Sequence, residues 1–179
     1  WYERLFLRKT ETPQRIREYG AFEARDRVLD LGGGTGRISA LLTGFVGEVT
    51  VLDPSPKMLV QCRKKEGIRC LEGSAEHLPF PDASFEKAIA VCAVRHFADQ
   101  RAAVAELHRV LTEGGRIVVE EMHPGTWEGK WEILCEWFLR TGSLFFRPRA
   151  LAALFQEAGF QVEVHDTRRR GRYYLVARK

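Results

Sequence analysis

Short runs of β-branched and apolar residues alternate along this chain with stretches of helical periodicity. This alternation is typical of a parallel sheet covered by helices, because each helix carries the chain back to start the next parallel strand. Ser-Pro and Thr-Pro pairs and Asp99 mark helix starts. The pattern therefore predicts one α/β domain over residues 1–179. Predicted strands cover residues 28–31, 48–52, 68–71, 87–94, 116–121, 160–165 and 172–177, and predicted helices cover residues 12–20, about 37–42, 55–65, 99–111 and 149–158.

The composition is that of an ordinary folded domain. The chain has 179 residues, of which 45% are hydrophobic and 29% are charged. Its longest apolar run, residues 88–94, is far shorter than the roughly 20 residues that a membrane-spanning helix needs. There is no basic-then-apolar leader with a cleavage site, so we expect a cytoplasmic protein without a membrane span. The net charge of +4 permits anionic partners without requiring them.

The four cysteines, Cys62, Cys70, Cys92 and Cys135, form no CxxC pair and no zinc-finger spacing. A domain of this length does not need disulfide bonds for stability, and a cytoplasmic protein is kept reduced. We therefore expect four free thiols and no metal site.

A glycine-rich turn, DLGGGTG over residues 30–36, lies between a predicted strand and a predicted helix. Glycines in such a turn let a ligand approach bare backbone N–H groups. The dinucleotide pattern G-x-G-x-x-G is not met, because its third glycine falls on Arg37, and the lysine of a phosphate-binding loop is also missing. The turn therefore favours a nucleoside ligand that has no pyrophosphate.

Asp53 ends the second predicted strand, 21 residues after Gly32. A carboxylate at this position can accept hydrogen bonds from both hydroxyls of a ribose. Either feature alone is more often structural, as a simple turn or a capping residue. Together, on consecutive strand–helix units, they predict a nucleoside site.

Four segments follow one another in an order typical of one protein family. They are Val28–Ser39 (VLDLGGGTGRIS), Val51–Leu59 (VLDPSPKML), Glu72–Phe85 (EGSAEHLPFPDASF) and Leu111–Arg116 (LTEGGR). Each resembles a motif of the class I S-adenosylmethionine-dependent methyltransferases. The long third segment is similar to the methyltransferase type 11 group, which includes the menaquinone and ubiquinone C-methyltransferases. The resemblance covers about residues 1–123, and the C-terminal third matches in architecture only.

The resemblance implies a fold and a division of the chain. The expected fold is a Rossmann-like seven-stranded mixed sheet, with strand order 3-2-1-4-5-7-6, the last strand antiparallel and helices on both faces. Residues 1–20 would form N-terminal cap helices, and residues 124–147 would form an insert that covers the substrate.

The same resemblance implies a set of cofactor-binding residues for S-adenosylmethionine. Ser74 stands where the family often has Asp, which leaves the contact to the adenine amino group to the N–H of Ala75 or to Glu76. The implied residues are Tyr2 over the methionine portion, Asp30 at its ammonium end, Gly32, Gly34 and Gly36 along the methionine and ribose, Asp53 on the ribose hydroxyls, Pro54 and Met58 on the adenine, Ser74, Ala75 and Glu76 at its rim, and Ala93 at the amino group.

Two histidines follow strands at the edge where a methyl acceptor is expected, His96 after the fourth strand and His123 after the fifth. An imidazole with an unperturbed pKa of ~6.5 suits removal of a phenol or quinol proton near neutral pH. These are the candidate catalytic residues, and the alternative is a structural loop role for each. Arg95 stands where the subgroup often carries a second histidine.

Trp127, Trp131, Leu134 and Phe138 recur at helical spacing within the predicted insert. Trp127 and Trp131 are candidate substrate-binding residues, because aromatic walls suit a flat or lipid-like acceptor. The alternative is that this stripe packs on the sheet or on a partner subunit.

The sequence thus predicts transfer of a methyl group by in-line displacement to a small-molecule acceptor, such as a quinol or phenol. One alternative is an RNA or protein methyltransferase, and another is a non-catalytic S-adenosylmethionine-binding subunit. The basic turn at residues 168–170 could bind phosphate, although such turns are more often solvated, and nucleic acid is not the favoured acceptor. We expect a monomer or a homodimer.

Overall fold

The computed structural model of the chain describes residues 11–139, 144–167 and 171–179, with the side chains of residues 132, 135–139, 166 and 167 outside that description. Seven strands form one sheet in the order β3-β2-β1-β4-β5-β7-β6, as predicted. The strands are β1 (Arg27–Leu31), β2 (Glu48–Asp53), β3 (Ile68–Glu72), β4 (Phe85–Val91), β5 (Leu111–Met122), β6 (Gln161–Thr167) and β7 (Arg172–Arg178). The helices are α1 (Thr12–Gly20), α2 (Pro56–Cys62), α3 (Gln100–Val110), α4 (Trp127–Leu139) and α5 (Pro148–Glu157).

The direction of the strands confirms the mixed sheet. The first five strands, β1 to β5, pair in parallel, whereas β7 runs antiparallel to both of its neighbours, β5 and β6. The final two strands are therefore the antiparallel edge pair that the sequence predicts.

Hydrophobic residues fill both faces of the sheet. One cluster packs α3 and α5 on the sheet through side chains such as Leu107 and Phe155. A second cluster on the opposite face packs α1 through Ile16 against Val28 and Val118. Helices therefore cover both faces, which leaves the strand ends as the accessible edges.

Polar caps start two of the helices as predicted. The Ser55 hydroxyl accepts from the Met58 N–H at 3.4 Å, and the Asp99 carboxylate accepts from the Ala102 N–H at 3.0 Å. Thr12 was predicted as the cap of the first helix, and this prediction is wrong. The N-cap residue is Glu11, and Thr12 is already the first residue of the helix. The Thr12 hydroxyl instead donates to the buried Glu120 carboxylate at 3.1 Å.

The prediction of a helix after the glycine-rich turn is also wrong. The chain forms a single 3₁₀ turn (Ser39–Leu41) there. Gly36 has a φ of +70°, which interrupts a right-handed helix, and Thr43 already pairs with Val46 in an isolated β-bridge. The residues between these two points, 37–42, are fewer than two α-helical turns of about 3.6 residues each.

The fourth strand ends earlier than residue 94. It stops at Val91, because Cys92 has a φ of +53° and leaves the extended conformation. Ala93 then leads into a short 3₁₀ turn (Val94–His96) that carries His96 away from the strand.

The expectation of four free thiols is wrong. Cys62, at the end of α2, and Cys70, in β3, form a disulfide with their Cα atoms 6.2 Å apart. Consecutive elements bring the two residues together, although they lie only eight positions apart in sequence. Cys92 is free, and the Cys135 side chain lies outside the described part of the chain.

The predicted insert contains α4. Among the described residues, no helix has both the length and the apolar character needed to cross a bilayer. In the same part of the chain, no group of three or more His, Cys, Asp or Glu side chains is arranged to hold a metal ion. Tyr2 and the basic residues 168–170 lie outside the described residues, and the division of the chain into cap, core and insert stays a prediction.

Candidate functional site

The carboxyl ends of β1, β2 and β4 meet at one edge of the sheet, with β1 between its two parallel neighbours. After β1 the chain adds β2 and β3 on one side of it, and then β4 and β5 on the other side. Such a switch point leaves a crevice where open α/β sheets bind ligands. The turn that follows β1, residues 32–36, crosses this edge. Its first N–H, from Gly32, donates to the Leu52 carbonyl at 2.8 Å and fastens the turn to β2.

Two glycines give the turn its shape. Gly32 has a φ of +69°, and a Cβ built on it would lie 2.6 Å from the Cβ of Ala93. The backbone therefore passes so close to the end of β4 that a side chain cannot fit. Gly34 also has a positive φ, of +56°, but among the described residues a Cβ built there would find only an Asp53 oxygen within 4 Å, at 3.8 Å. With respect to these residues, the side of the turn at Gly34 is open.

Asp53 joins the turn to the end of β2. One carboxylate oxygen accepts from the Gly34 N–H at 2.9 Å, and the other accepts from the Ser55 N–H at 2.8 Å. The residue is only 8% exposed. An ionised carboxylate has about four lone-pair positions, so its two oxygens keep acceptor capacity for further donors such as ribose hydroxyls.

Asp30 lies directly beneath the turn and is 1% exposed. One of its carboxylate oxygens accepts from the Ser39 hydroxyl at 2.6 Å, while the other, Oδ1, is buried without a hydrogen-bond partner. Burial, reinforced by the nearby charge of Asp53 and opposed by the Ser39 hydrogen bond, raises the pKa of Asp30 to about 6. A buried acceptor without a donor is rare, so it marks a place where a cationic or N–H group can be bound.

Apolar and polar side chains flank Asp53 on the side predicted for the adenine. Pro54 is exposed and Met58 is 48% exposed, so both offer uncovered apolar surface next to the carboxylate. Across from them, Ser74 is half-buried and Ala75 is buried. The contact of these four residues with an adenine stays a prediction.

Glu76 has a structural partner of its own. Its carboxylate accepts from the N–H groups of Ala98 at 2.7 Å and Asp99 at 3.2 Å. Burial favours the neutral acid, but hydrogen bonds from the backbone and from Ser74 outweigh it, so that the pKa of Glu76 is lowered. Glu76 therefore fastens the loop before α3 to the loop after β3.

The residues after β4 place one candidate base on the surface. Ala93 is buried against Gly32, and its carbonyl accepts from the His96 N–H at 2.9 Å. His96 itself is exposed. The turn therefore sets the backbone of Ala93 against Gly32 and carries His96 three residues further along the chain.

The second candidate base, His123, is built into the turn after β5. Its ring Nδ1 accepts from the Gly125 N–H at 3.0 Å, its backbone N–H donates to Gly171, and its carbonyl accepts from the Thr126 N–H and hydroxyl. Because Nδ1 is the acceptor, the proton of the neutral ring is on Nε2. In this arrangement neither ring nitrogen has a free lone pair for a substrate proton.

A buried ion pair at the ends of β4 and β5 is a feature that sequence reasoning missed. The Arg95 guanidinium donates to Glu121 at 3.1 Å, with both side chains less than 10% exposed, and the Arg95 carbonyl accepts from the Leu144 N–H. Burial raises the pKa of Glu121, although Arg95 opposes this rise. The sequence did contain a signal, because two successive glutamates follow an apolar run in the predicted fifth strand. Successive residues of a strand point to opposite faces of the sheet, and helices cover both faces, so both glutamates must be buried.

Three residues of the aromatic stripe on α4 are exposed, and the side chain of the fourth, Phe138, lies outside the described part of the chain. Trp127 is 81% exposed, Trp131 is 62% exposed and Leu134 is 52% exposed. Packing against this chain's own core therefore does not account for these three side chains. Their contact with a substrate stays a prediction.

The match to a known protein family identifies the relatives of this chain. Residues 29–119, just over half of the chain, match the model of a family described as a methyltransferase domain. This chain belongs to the methyltransferase domain family. The matched region runs from β1 to β5, so it contains the turn after β1, Asp53, Glu76 and the loops that follow β3 and β4.

Named relatives of this methyltransferase domain include a hydroquinone methyltransferase and a demethylmenaquinone methyltransferase. It is 33% identical over 141 residues to 2-methyl-6-phytyl-1,4-hydroquinone methyltransferase 1 of Oryza sativa subsp. japonica, covering 75% of this chain and 41% of the relative. It is 40% identical over 109 residues to the demethylmenaquinone methyltransferase of Thermus thermophilus, covering 57% of this chain and 50% of the relative. The chain thus spans half or less of the length of these relatives.

Solved structures share the fold over nearly the whole chain. A methyltransferase from Thermotoga maritima, described as S-adenosylmethionine-dependent and as a possible histamine N-methyltransferase, has a TM-score of 0.81 at 25% identity, covering 99% of this chain and 94% of that chain. A protein from Bacillus halodurans described as a putative methyltransferase has a TM-score of 0.82 at 18% identity, with 95% and 99% coverage, and this likeness shows the fold alone.

Proposed function

We propose that this domain binds S-adenosylmethionine at the turn after β1 and transfers a methyl group to a small-molecule acceptor, a quinol or phenol. One observation carries the proposal. In a chain of the methyltransferase domain family, the Gly34 N–H and the Asp53 carboxylate bond at 2.9 Å across the switch point of the sheet. This bond unites the open side of the turn and a carboxylate with spare acceptor capacity in one crevice.

Several features fit the cofactor. The spare acceptor capacity of Asp53 suits the ribose hydroxyls, and the exposed Met58 suits one face of the adenine. The orphaned oxygen of Asp30 suits the ammonium group, through the turn or a water molecule. We assign Gly32, Gly34, Gly36 and Ala93 to the methionine and ribose, Pro54, Ser74, Ala75 and Glu76 to the adenine, and Tyr2 to the methionine portion.

The protein itself supplies little of the covalent chemistry of methyl transfer. When bound, S-adenosylmethionine supplies a methyl group that its sulfonium already activates. The residues of the chain must hold the acceptor in line behind this methyl group, exclude water and accept the acceptor's proton. Such alignment can lower a barrier by ~7–11 kcal/mol, and a positioned base contributes a further factor of about 10²–10⁴.

Of the two candidate bases, we favour His96 because it is exposed in the turn that follows β4. The Nδ1 atom of His123 accepts from the Gly125 N–H. We propose that His96 accepts the acceptor's proton and that His123 orders the turn between β5 and α4. Both histidines follow strands whose carboxyl ends face the crevice, so either lies on the acceptor side.

The acceptor class rests on two observations. The named relatives methylate a hydroquinone that carries a phytyl chain and a demethylmenaquinone. In this chain, Trp127 and Trp131 expose large apolar surfaces on the helix that follows β5. We propose that these tryptophans contact a flat, apolar acceptor. We also retain a cytoplasmic location and a monomer or homodimer as proposals.

Cofactor binding is tested by thermal unfolding with S-adenosylhomocysteine, with NAD as the control. A ligand at 100 times its Kd stabilises by ~2.7 kcal/mol, and we expect this shift for S-adenosylhomocysteine alone. Stabilisation by NAD instead would contradict the proposed cofactor.

Transfer is tested by product formation with a panel of quinols and phenols, and with RNA. We expect methylation of a quinol or phenol. His96→Ala should lower turnover without changing the affinity for S-adenosylhomocysteine, and His77→Ala, another exposed loop histidine, serves as the matched control. Methylation of RNA alone, lost at high salt, would refute the small-molecule acceptor, and binding without any transfer would indicate a non-catalytic subunit.

A further inference from the structure

The disulfide between Cys62 and Cys70 lies behind the glycine-rich turn. Cys62 is the last residue of α2, which follows Asp53 directly, and Cys70 lies in the middle of β3. The bond thus joins a helix to a strand, and both flank the strand that carries Asp53.

The disulfide touches the turn. A Cβ built on Gly36 would lie 3.1 Å from the Cys62 sulfur, 3.5 Å from the side chain of Ile68 and 3.6 Å from that of Val51. The Cys62 sulfur therefore lies next to the backbone of the turn, and a carbon atom added at Gly36 would have to displace its neighbours by a few tenths of an ångström. A shift of Cys62 towards Gly36 would press on the turn, because protein interiors are closely packed.

A second contact ties the same end of α2 to the turn. The Lys65 ammonium, three residues after Cys62, donates to the Thr35 carbonyl at 2.7 Å. Two successive residues of the turn, Thr35 and Gly36, are thus held by the chain segment that the disulfide anchors.

The hydrophobic cluster that packs this segment is small among the residues that the structure describes. Val51, Leu59 and Cys62 form a small buried cluster of their own, with Ile68 and Cys70 packed against it. The helix α2 has only seven residues, and β3 lies at the edge of the sheet, paired with β2 alone. With so small a core, a covalent link contributes a large share of what holds the helix to the strand.

The bond is accessible from one side. Cys62 is fully buried, whereas Cys70 is half-buried on the edge strand. A thiolate can attack the Cys70 sulfur, breaking the S–S bond and releasing Cys62 as a thiolate that takes a proton. A second thiol then attacks the mixed disulfide, so that one protein disulfide and two small thiols become two protein thiols and one small disulfide.

We propose that Cys62 and Cys70 form a reversible thiol–disulfide site that controls cofactor affinity, with small thiols such as glutathione as the exchange partner; this rests on the proposed binding of S-adenosylmethionine. The disulfide holds the turn in its binding conformation. Reduction removes the covalent link between α2 and β3 and lets the Cys62 sulfur, which lies next to Gly36, move away from Cys70. The reduced protein therefore binds the cofactor more weakly, because the turn is no longer pre-organised.

The test compares the full chain after treatment with oxidised glutathione and after reduction with a phosphine. Thiol titration in denaturant should detect two more thiols in the reduced protein, and mass spectrometry should assign them to Cys62 and Cys70. Calorimetric titration with S-adenosylhomocysteine should give a Kd at least about fivefold higher for the reduced form. Cys70→Ser, which cannot form the bond, should show the weaker affinity under both conditions.

The outcomes separate this inference from the proposed function. Equal affinity in both redox states would overturn the redox site while leaving cofactor binding intact, and so would the absence of a Cys62–Cys70 bond after oxidation. If S-adenosylhomocysteine binds neither form, the proposed function fails. Hydrogen exchange at the amides of residues 33–37 then decides the redox site, because we expect slower exchange in the oxidised protein and equal exchange would refute it.

Discussion

The buried carboxylate of Asp30 should leave a measurable signature in the pH dependence of stability. Its pKa is raised from 3.8 to about 6, chiefly by burial. The folded chain therefore keeps a proton on Asp30 between about pH 4 and pH 6, where the unfolded chain has already lost it. Since the folded state binds more protons in this window, the contribution of Asp30 to stability is fully present below pH 4 and is lost as the pH rises through about 6.

The size of this effect follows from the shift. A pKa change of about two units corresponds to about 3 kcal/mol of unfolding free energy lost between pH 4 and pH 7.5. Asp30→Asn removes this loss, because an amide does not ionise, and its carbonyl can still accept from the Ser39 hydroxyl. The amide N–H₂ of this variant has no partner, and the resulting cost in stability does not depend on pH. This cost cancels when the variant and the wild-type protein are compared at two pH values.

Urea unfolding followed by circular dichroism measures the difference. The stability of Asp30→Asn relative to wild type should increase by about 3 kcal/mol from pH 4 to pH 7.5, with most of the change below pH 6.5. Carboxylates that do not interact with Asp30 contribute equally to both proteins. A relative stability that is constant with pH would refute the raised pKa of Asp30 and the account of its burial.

The same variant separates the two parts of the ligand. S-adenosylhomocysteine carries an ammonium group and adenosine does not, so Asp30→Asn should weaken S-adenosylhomocysteine binding at pH 7.5 and leave adenosine binding unchanged. Equal weakening of both ligands would mean that Asp30 supports only the shape of the turn.

Two further substitutions test the turn and its partner carboxylate. Asp53→Ala leaves two half-buried N–H groups without their acceptor, so urea unfolding should show a loss of about 1–3 kcal/mol, together with weaker S-adenosylhomocysteine binding. The control Glu72→Ala, an exposed carboxylate paired with Asp53 across the strands, should change little, and equal effects would contradict the role of Asp53. Gly32→Ala should cost about 2–4 kcal/mol, from a positive φ and a clash with Ala93. Gly114→Ala has a similar φ of +73° with open space around it, so a loss as large as that of Gly32→Ala would refute the clash.

The buried pair of Arg95 and Glu121 shows why some contacts at the carboxyl ends of β4 and β5 were not predicted from the sequence. The two residues are 26 positions apart, and the strand register of β4 and β5 brings their elements together. No periodicity within one element records such a contact. The pairing of Thr12 with Glu120, across 108 positions, escaped for the same reason, and it also removed Thr12 from the cap that local rules assign to it.

The sequence alone determined the strand order, the helix caps at Ser55 and Asp99, and the glycine turn facing Asp53. These features depend on backbone preferences, hydrogen bonds and periodicities within a few residues, or on motifs that resemble a known family. Only the tertiary structure decided that Asp30 has an orphaned oxygen, that the ring of His123 is engaged, and that a disulfide lies beneath the turn. Burial and close contact are properties of the packed sheet and its helices, because they depend on which distant segments exclude water from a given side chain.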